Sequence, residues 1–170
     1  MNKVFIINGM ARAGKDTFCK FVSEFYPNTY HFSIVDSVKR QALQLGWDGV
    51  KDEKGRKFLN RLKNIIDEYN DNNFKEIVEK VNNTDDINKV FLIDMRELSD
   101  IERARKELNA SIVLINNKNV EQIKSNNADA NVYNISYDIV IDNSGSLDEL
   151  KDKAQYFVNK YIKENYCGSN

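Results

Sequence analysis

Residues 3–8, KVFIIN, form an almost unbroken apolar run, and residues 9–17, GMARAGKDT, follow with no spacer. A run without polar alternation suits a strand covered on both faces. Beyond the glycines, Phe18, Phe21, Val22 and Phe25 recur at helical spacing until Pro27 stops the segment. Strand, glycine-bracketed loop and helix in that order commit the chain to an α/β architecture. In such folds ligands sit beyond the carboxyl ends of the strands, where this loop lies.

The same alternation continues downstream. TYHFSIV at 29–35 reads as a second strand leading into a helix through Leu45, and WDGVKDEKG at 47–55 as a polar connection. Phe58, Leu59, Leu62, Ile65, Ile66 and Tyr69 mark one face of an amphipathic helix, and Phe74, Ile77, Val78 and Val81 a shorter one. KVFLID at 89–94, SIVLIN at 111–116 and YDIVID at 137–142 supply three further strands. Ser99 with Glu102, and Ser146 with Glu149, have the spacing of capping boxes; the second opens a last helix through about Tyr161. Strands alternating with helices predict a five-stranded parallel sheet flanked by helices in three layers. Nothing resembling a linker or repeat divides residues 1–170, so one domain is expected.

Composition narrows the function classes. A net charge of −1 with pI near 5.9 offers no basic excess for a nucleic-acid polymer or a membrane surface. Two cysteines, Cys19 and Cys167, lie far apart and read as reduced thiols rather than a disulfide framework. With one histidine, His31, triads and multi-His metal sites are poorly supplied, and both Cys19 and His31 read as core or surface residues. The first apolar run is too short for a signal peptide, and no stretch approaches the ~20 apolar residues of a membrane span. A cytoplasmic monomer or homodimer acting on small molecules is expected.

Within the loop, Gly9 and Gly14 let the backbone turn with N–H groups inward, forming a concave anion site before a helix N-terminus. Lys15 supplies a point charge at its rim, and the set converges on a triphosphate. After the lysine, Ser or Thr would ordinarily offer a hydroxyl to Mg²⁺. Here Asp16 stands in that place with Thr17 next; its carboxylate can bind the ion, or simply complement the helix dipole.

GMARAGKDT resembles the G-x-x-R-x-G-K-D-T loop of bacteriophage-type deoxynucleoside monophosphate kinases, and is similar to that of animal phosphomevalonate kinases; both belong to the P-loop nucleotide-kinase superfamily. FSIVDSVKRQA, LIDMRELSDIERARKEL and DNSGSLDEL resemble further segments of those proteins, so the likeness spans nearly the whole chain. The resemblance implies a P-loop fold with a helical acceptor-binding region at 33–82 and a lid at 117–136. It implies ATP phosphates held by Gly9, Ala11, Arg12, Ala13, Gly14, Lys15, Asp16 and Thr17, with Ser144 and Gly145 lining the adenine. Arg12 would touch the transferring group, Arg96 the acceptor's phosphate, and Asp94 would hold Mg²⁺ or orient the acceptor, joining Asp16 and Thr17 as the metal set. Lys15, Arg12, Arg96 and Asp94 are then the catalytic residues.

The 33–75 segment supplies Asp36, Lys39, Arg40, Lys51, Arg56 and Arg61 as candidates for the acceptor. Asp36 reads equally as a helix cap, and each cation more readily as a solvated helix charge than as an acceptor contact. Trp47 reads as a packing residue, with base stacking the alternative. Asp94 has a plain alternative too, as a strand-end acid paired with Arg96. Residues 117–136 contain no arginine, only Lys118 and Lys124, where nucleotide kinases carry lid arginines. The expected activity is ATP- and Mg²⁺-dependent phosphoryl transfer to a small phosphorylated acceptor, a nucleoside or deoxynucleoside monophosphate first. The alternatives are a kinase of another phosphorylated metabolite and a nucleotide-binding module or switch with little turnover.

Overall fold

The structure is a computed structural model that describes residues 2–83, 88–120 and 132–164. By the density of internal packing the chain divides into two compact units, Met1–His31 with Asp85–Asn170, and Phe32–Thr84.

The first unit is built on a five-stranded, all-parallel sheet in the order β2-β3-β1-β4-β5. Its strands are β1 (Lys3–Asn8), β2 (Thr29–Ser33), β3 (Val90–Asp94), β4 (Ser111–Asn116) and β5 (Ile139–Asp142); the last residues of β2 begin the second unit. β1 lies at the centre, with Ile7 opposite Asp94 on one side and Asn8 opposite Leu114 on the other; Asn116 is opposite Asp142. That register brings the carboxyl ends of β1, β3, β4 and β5 to one edge. The apolar runs of β1, β3 and β4 are buried nearly throughout, as strands covered on both faces must be.

Among the described residues this unit has three α-helices: α1 (Lys15–Phe25), α5 (Leu98–Glu107) and α6 (Leu147–Phe157). α6 continues into a π-helical turn, Val158–Lys163. Lys3 Nζ donates to the Tyr161 and Ile162 carbonyls at 2.6 and 2.8 Å, satisfying groups that a widened turn leaves open. On one face of the sheet Phe157 packs edge-on against Phe5 and Phe18, with ring centroids 4.9 and 5.4 Å away. Phe18 sits in the first turn after the loop, so this cluster ties α1 to the sheet.

α6 starts as expected: Ser146 Oγ accepts from Glu149 N at 3.2 Å. The Ser99–Glu102 box does not form. α5 begins at Leu98 with Glu97 at the cap position and no side-chain cap, which places Ser99 inside the first turn. A serine there is past the cap position, because the helix starts two residues too early for that register. The second strand ends at Ser33, short of the expected Val35, and the fifth begins at Ile139 rather than Tyr137.

The second unit is helical beyond β2: α2 (Asp36–Gln44), α3 (Glu53–Asn70) and α4 (Asn72–Asn82). Polar side chains bind these helices together. Ser37 Oγ donates to Asn73 Oδ1 at 2.8 Å, Asn73 Nδ2 to Asp67 Oδ1 at 2.7 Å, and Lys63 Nζ to Asp67 Oδ2 at 2.8 Å. Ile65 and Tyr69 of the expected apolar face are 62% and 86% exposed, so the buried stripe of α3 is narrower than its periodicity suggests. The Trp47 indole donates to the Val50 carbonyl at 3.1 Å, closing the turn before α3. Among the described residues no helix is long and apolar enough to cross a membrane.

Candidate functional site

The loop from Gly9 to Gly14 joins β1 to α1. Gly9 takes φ 144°, and a Cβ there would run into the Ile115 carbonyl of β4. Gly14 takes φ 93°, and a Cβ there would meet the Asn143 amide, which itself donates from Nδ2 to the Ala13 carbonyl at 2.8 Å. Both positions therefore require glycine for conformation and for space. At the base of the loop the fully buried Asn8 accepts the Gly9 N–H through Oδ1 at 2.5 Å. Asn143 is fixed in turn, its N–H donating to the Asn116 carbonyl at 2.6 Å. Side-chain amides thus brace the loop at both ends, an arrangement that sequence reading missed because Asn8 and Asn143 lie outside the glycine motif.

Met10 and Ala13 are buried, Ala11 is half-buried and Arg12 is exposed, with Arg12 in the left-handed region at φ 65°. Holding a non-glycine residue there costs free energy, and such strain persists where surrounding structure fixes the turn. Lys15 Nζ lies across the loop mouth, donating to the Gly9 and Met10 carbonyls at 2.8 Å each. Gly14 stands at the cap position of α1 with no side chain to receive the first helical N–H groups. A helix N-terminus left open beside an ammonium is what a polyphosphate needs.

Two of the candidates converge with the chain's histidine. Asp16 in the first turn of α1, Asp94 at the end of β3 and His31 on β2 offer ligand atoms that all lie within 4.8 Å of one another. His31 Nε2 is 3.0 Å from Asp94 Oδ2. Asp94 therefore engages an imidazole, a partner that the sequence reading left as a surface or core residue. The signal was weak: His31 sits on a strand whose place beside β3 cannot be read from local pattern. Two carboxylates and an imidazole form a donor set that fits a divalent cation. Thr17 is half-buried one residue along α1, and Arg96 is half-buried two residues after Asp94. Cys19 lies fully buried below; burial pushes its thiol well up, and the Asp94 and Asp16 carboxylates push the same way, so it belongs to the core.

At the other end, Ser144 follows β5. Its hydroxyl donates to Asp142 Oδ1 at 2.5 Å and accepts the Lys118 N–H at 3.0 Å, while its carbonyl receives Asn119 Nδ2 at 2.9 Å. The Ser144 hydroxyl and N–H hold the exposed Asp142 carboxyl below its ordinary range. Gly145 is exposed beside it. Of the expected lid, Lys118 is described and Lys124 lies outside the described residues.

In the second unit two of the candidates, Asp36 and Lys39, pair with each other. Asp36 accepts from Lys39 Nζ at 2.6 Å and from Ser33 N at 2.8 Å. Burial opposes ionisation of Asp36, but Lys39 and the Ser33 N–H outweigh it and hold the carboxyl below its usual range. Arg40 donates to Glu76 at 2.6 Å. Lys51, Arg56 and Arg61 are exposed, the last two on α3.

No protein-family model matches the chain, and no curated protein does. Solved structures do. A dephospho-CoA kinase from Campylobacter jejuni is 16% identical with a TM-score of 0.56, over 95% of this chain and 98% of its own. A gluconokinase from Sinorhizobium meliloti 1021 is 11% identical with a TM-score of 0.54, over 99% and 98%. A shikimate kinase from Aquifex aeolicus vf5 is 13% identical with a TM-score of 0.52, over 99% and 100%. These likenesses establish the fold, a five-stranded parallel sheet flanked by helices of the kind that P-loop kinases share.

Proposed function

We propose that the chain is an ATP- and Mg²⁺-dependent phosphotransferase acting on a small phosphorylated acceptor, a nucleoside or deoxynucleoside monophosphate first. The observation that carries this reading is the braced loop, two sterically required glycines with Lys15 across its mouth. The solved kinases of the same fold act, by their names, on gluconate, shikimate and dephospho-CoA, which supports small-molecule phosphoryl transfer while leaving the acceptor to experiment.

In this reading the loop N–H groups and Lys15 hold the β- and γ-phosphates, with Ala11, Ala13 and Thr17 lining the cradle and Ser144 and Gly145 at the base end. Asp16 and Asp94 hold the cation, which when bound neutralises charge on the β- and γ-oxygens. Arg12 and Arg96 stabilise the moving phosphoryl group and position the acceptor's phosphate; Asp36, Lys39, Arg40, Arg56 and Arg61 are the further acceptor candidates. An acceptor phosphate oxygen forms the new bond to the γ-phosphorus while the β–γ bridging bond breaks and ADP leaves. An ionised phosphate gives up no proton in that step, so positioning and electrostatics suffice without a histidine base.

The test is a coupled ADP-release assay across the common nucleoside and deoxynucleoside monophosphates and phosphomevalonate. Turnover on one of them, abolished in Lys15→Ala, supports the reading; ATP binding without turnover on any acceptor defeats it. The arginine-free 117–136 segment favours one second reading, a nucleotide-binding switch with little turnover. That reading predicts no added thermal stabilisation when a monophosphate is supplied together with ATP.

A further inference from the structure

We propose that His31 is an inner-sphere ligand in a mixed carboxylate–imidazole site with Asp16 and Asp94, and that this site takes a first-row transition ion, Mn²⁺ or its heavier neighbours, in preference to Mg²⁺. The inference rests on the phosphotransferase reading for the polyphosphate that shares the ion.

Geometry comes first. The three donors lie within 4.8 Å of one another before any ion draws them together. Around an ion with bonds of about 2.1 Å, neighbouring ligands stand about 3.0 Å apart and opposite ones about 4.2 Å. His31 Nε2 and Asp94 Oδ2, 3.0 Å apart, already stand at the spacing of neighbouring ligands, and Asp16 lies within 4.8 Å of both. The donors come from three elements, the first turn of α1, β2 and the end of β3, so the site does not depend on one loop. The side chains of His31 and Asp94 are 26% and 20% exposed, which leaves room for water or a phosphate oxygen to complete the shell.

Donor chemistry then sets the preference. Mg²⁺ favours oxygen ligands, keeps several waters and is served by one or two carboxylates alone. An imidazole adds affinity for first-row ions in the order Mn²⁺, Fe²⁺, Co²⁺, Ni²⁺, and contributes little toward Mg²⁺. Cys19, fully buried in the core, is not among the three donors that converge.

Because the chain holds one histidine, labelling histidine with ¹⁵N marks a single site. Mn²⁺ and inorganic tripolyphosphate, which contains no nitrogen, are added to the untagged protein and electron spin-echo modulation is recorded. The expected result is a ¹⁴N coupling that converts to ¹⁵N on labelling and vanishes in His31→Gln. Titration calorimetry in the presence of tripolyphosphate should show Mn²⁺ affinity falling about tenfold or more in His31→Gln, with Mg²⁺ affinity changed less than about twofold. Mn²⁺ bound without nitrogen coupling overturns the proposal and leaves the phosphotransferase reading intact. Failure of Mn²⁺ to bind overturns it as well, and ATP titrated separately in Mg²⁺ buffer shows whether the phosphate loop has failed with it. His31→Asn, of smaller reach, repeats the measurement should His31→Gln fold poorly.

Discussion

In the first unit, the residues assigned to phosphate sit on backbone that packing and side-chain amides hold from several directions. In the second, Arg56 and Arg61 ride on an 18-residue helix whose single buried residue is Gly55. Gly9 is pinned by a β4 carbonyl and Gly14 by Asn143, whereas the cations of α3 face solvent. Backbone held in this way has little conformational entropy left to lose. Charges of the second kind must lose side-chain entropy to grip a ligand, and their rotamers are chosen by that ligand. The contrast is between a backbone element fixed by its surroundings and charged side chains that face solvent.

The largest effect that could break this comparison is at Lys15. Lys15→Ala removes the ammonium from the loop mouth, and the turnover number should fall about 10²- to 10³-fold. Arg56→Ala with Arg61→Ala should instead raise the acceptor KM while leaving ATP affinity within about twofold. Calorimetry and initial rates on the two variants separate the cases. Equal loss of ATP affinity in both would erase the distinction between placed and adaptable charge.

A second test compares the two interiors. Phe157 joins Phe5, Phe18 and Tyr161 in one aromatic cluster, so Phe157→Ala should destabilise by about 3–5 kcal/mol. Tyr69→Ala on the exposed side of α3 should change stability by no more than about 0.5 kcal/mol. Urea denaturation gives both numbers. In the second unit the sensitive position is Asn73, 1% exposed and bonded to Ser37 and Asp67. Asn73→Ala leaves the Ser37 hydroxyl short of a partner and should cost about 1–3 kcal/mol. Hydrogen exchange should then rise over residues 36–82 while the strands of the first unit keep their protection.

Legibility in the sequence follows the same division. KVFIIN and GMARAGKDT are local patterns whose conformations depend on glycine sterics and apolar runs, so strand, loop and helix could all be read directly. Four of the five strands could be placed for the same reason; β2, at the sheet edge, blurred at its end because Ser33 and Asp36 form a polar turn that interrupts the strand. The Asp94–His31 pair could not be read, since 63 positions separate the two residues and only strand order brings them together. Asn8 and Asn143 were invisible for a related reason: an asparagine at a strand end has no periodicity to betray that it braces a neighbouring loop. Ser99–Glu102 shows the opposite failure, a correct spacing with the helix starting two residues early.

The smallest predicted effect concerns pH, and it sharpens the comparison on the side of the first unit. Arg105 Nη1 donates to both oxygens of Asp138 at 2.9 Å, and Ile112 N donates to Oδ2 at 2.7 Å, stapling α5 to the chain that enters β5. Burial raises the Asp138 pKa, yet the Arg105 and Ile112 bonds outweigh it and hold the carboxyl below its ordinary range. The folded pKa thus lies below the unfolded value of about 3.9. The unfolded state binds the proton more readily, so the contribution is complete above that value and is lost as pH falls through the folded pKa. Asp138→Asn should therefore melt a few degrees below the parent at pH 7, and the two melting curves should converge as pH falls below about 3.9. Asp36, held by Lys39 and the Ser33 N–H, has the same sign in the second unit, but its partners lie within three residues along the chain. A contact that local persists in part after unfolding, so Asp36→Asn should show the weaker pH dependence. Parallel melting curves for Asp138→Asn and its parent from pH 7 to 2 would mean that the Arg105 staple carries no linkage, and that the first unit's advantage lies in its apolar core alone.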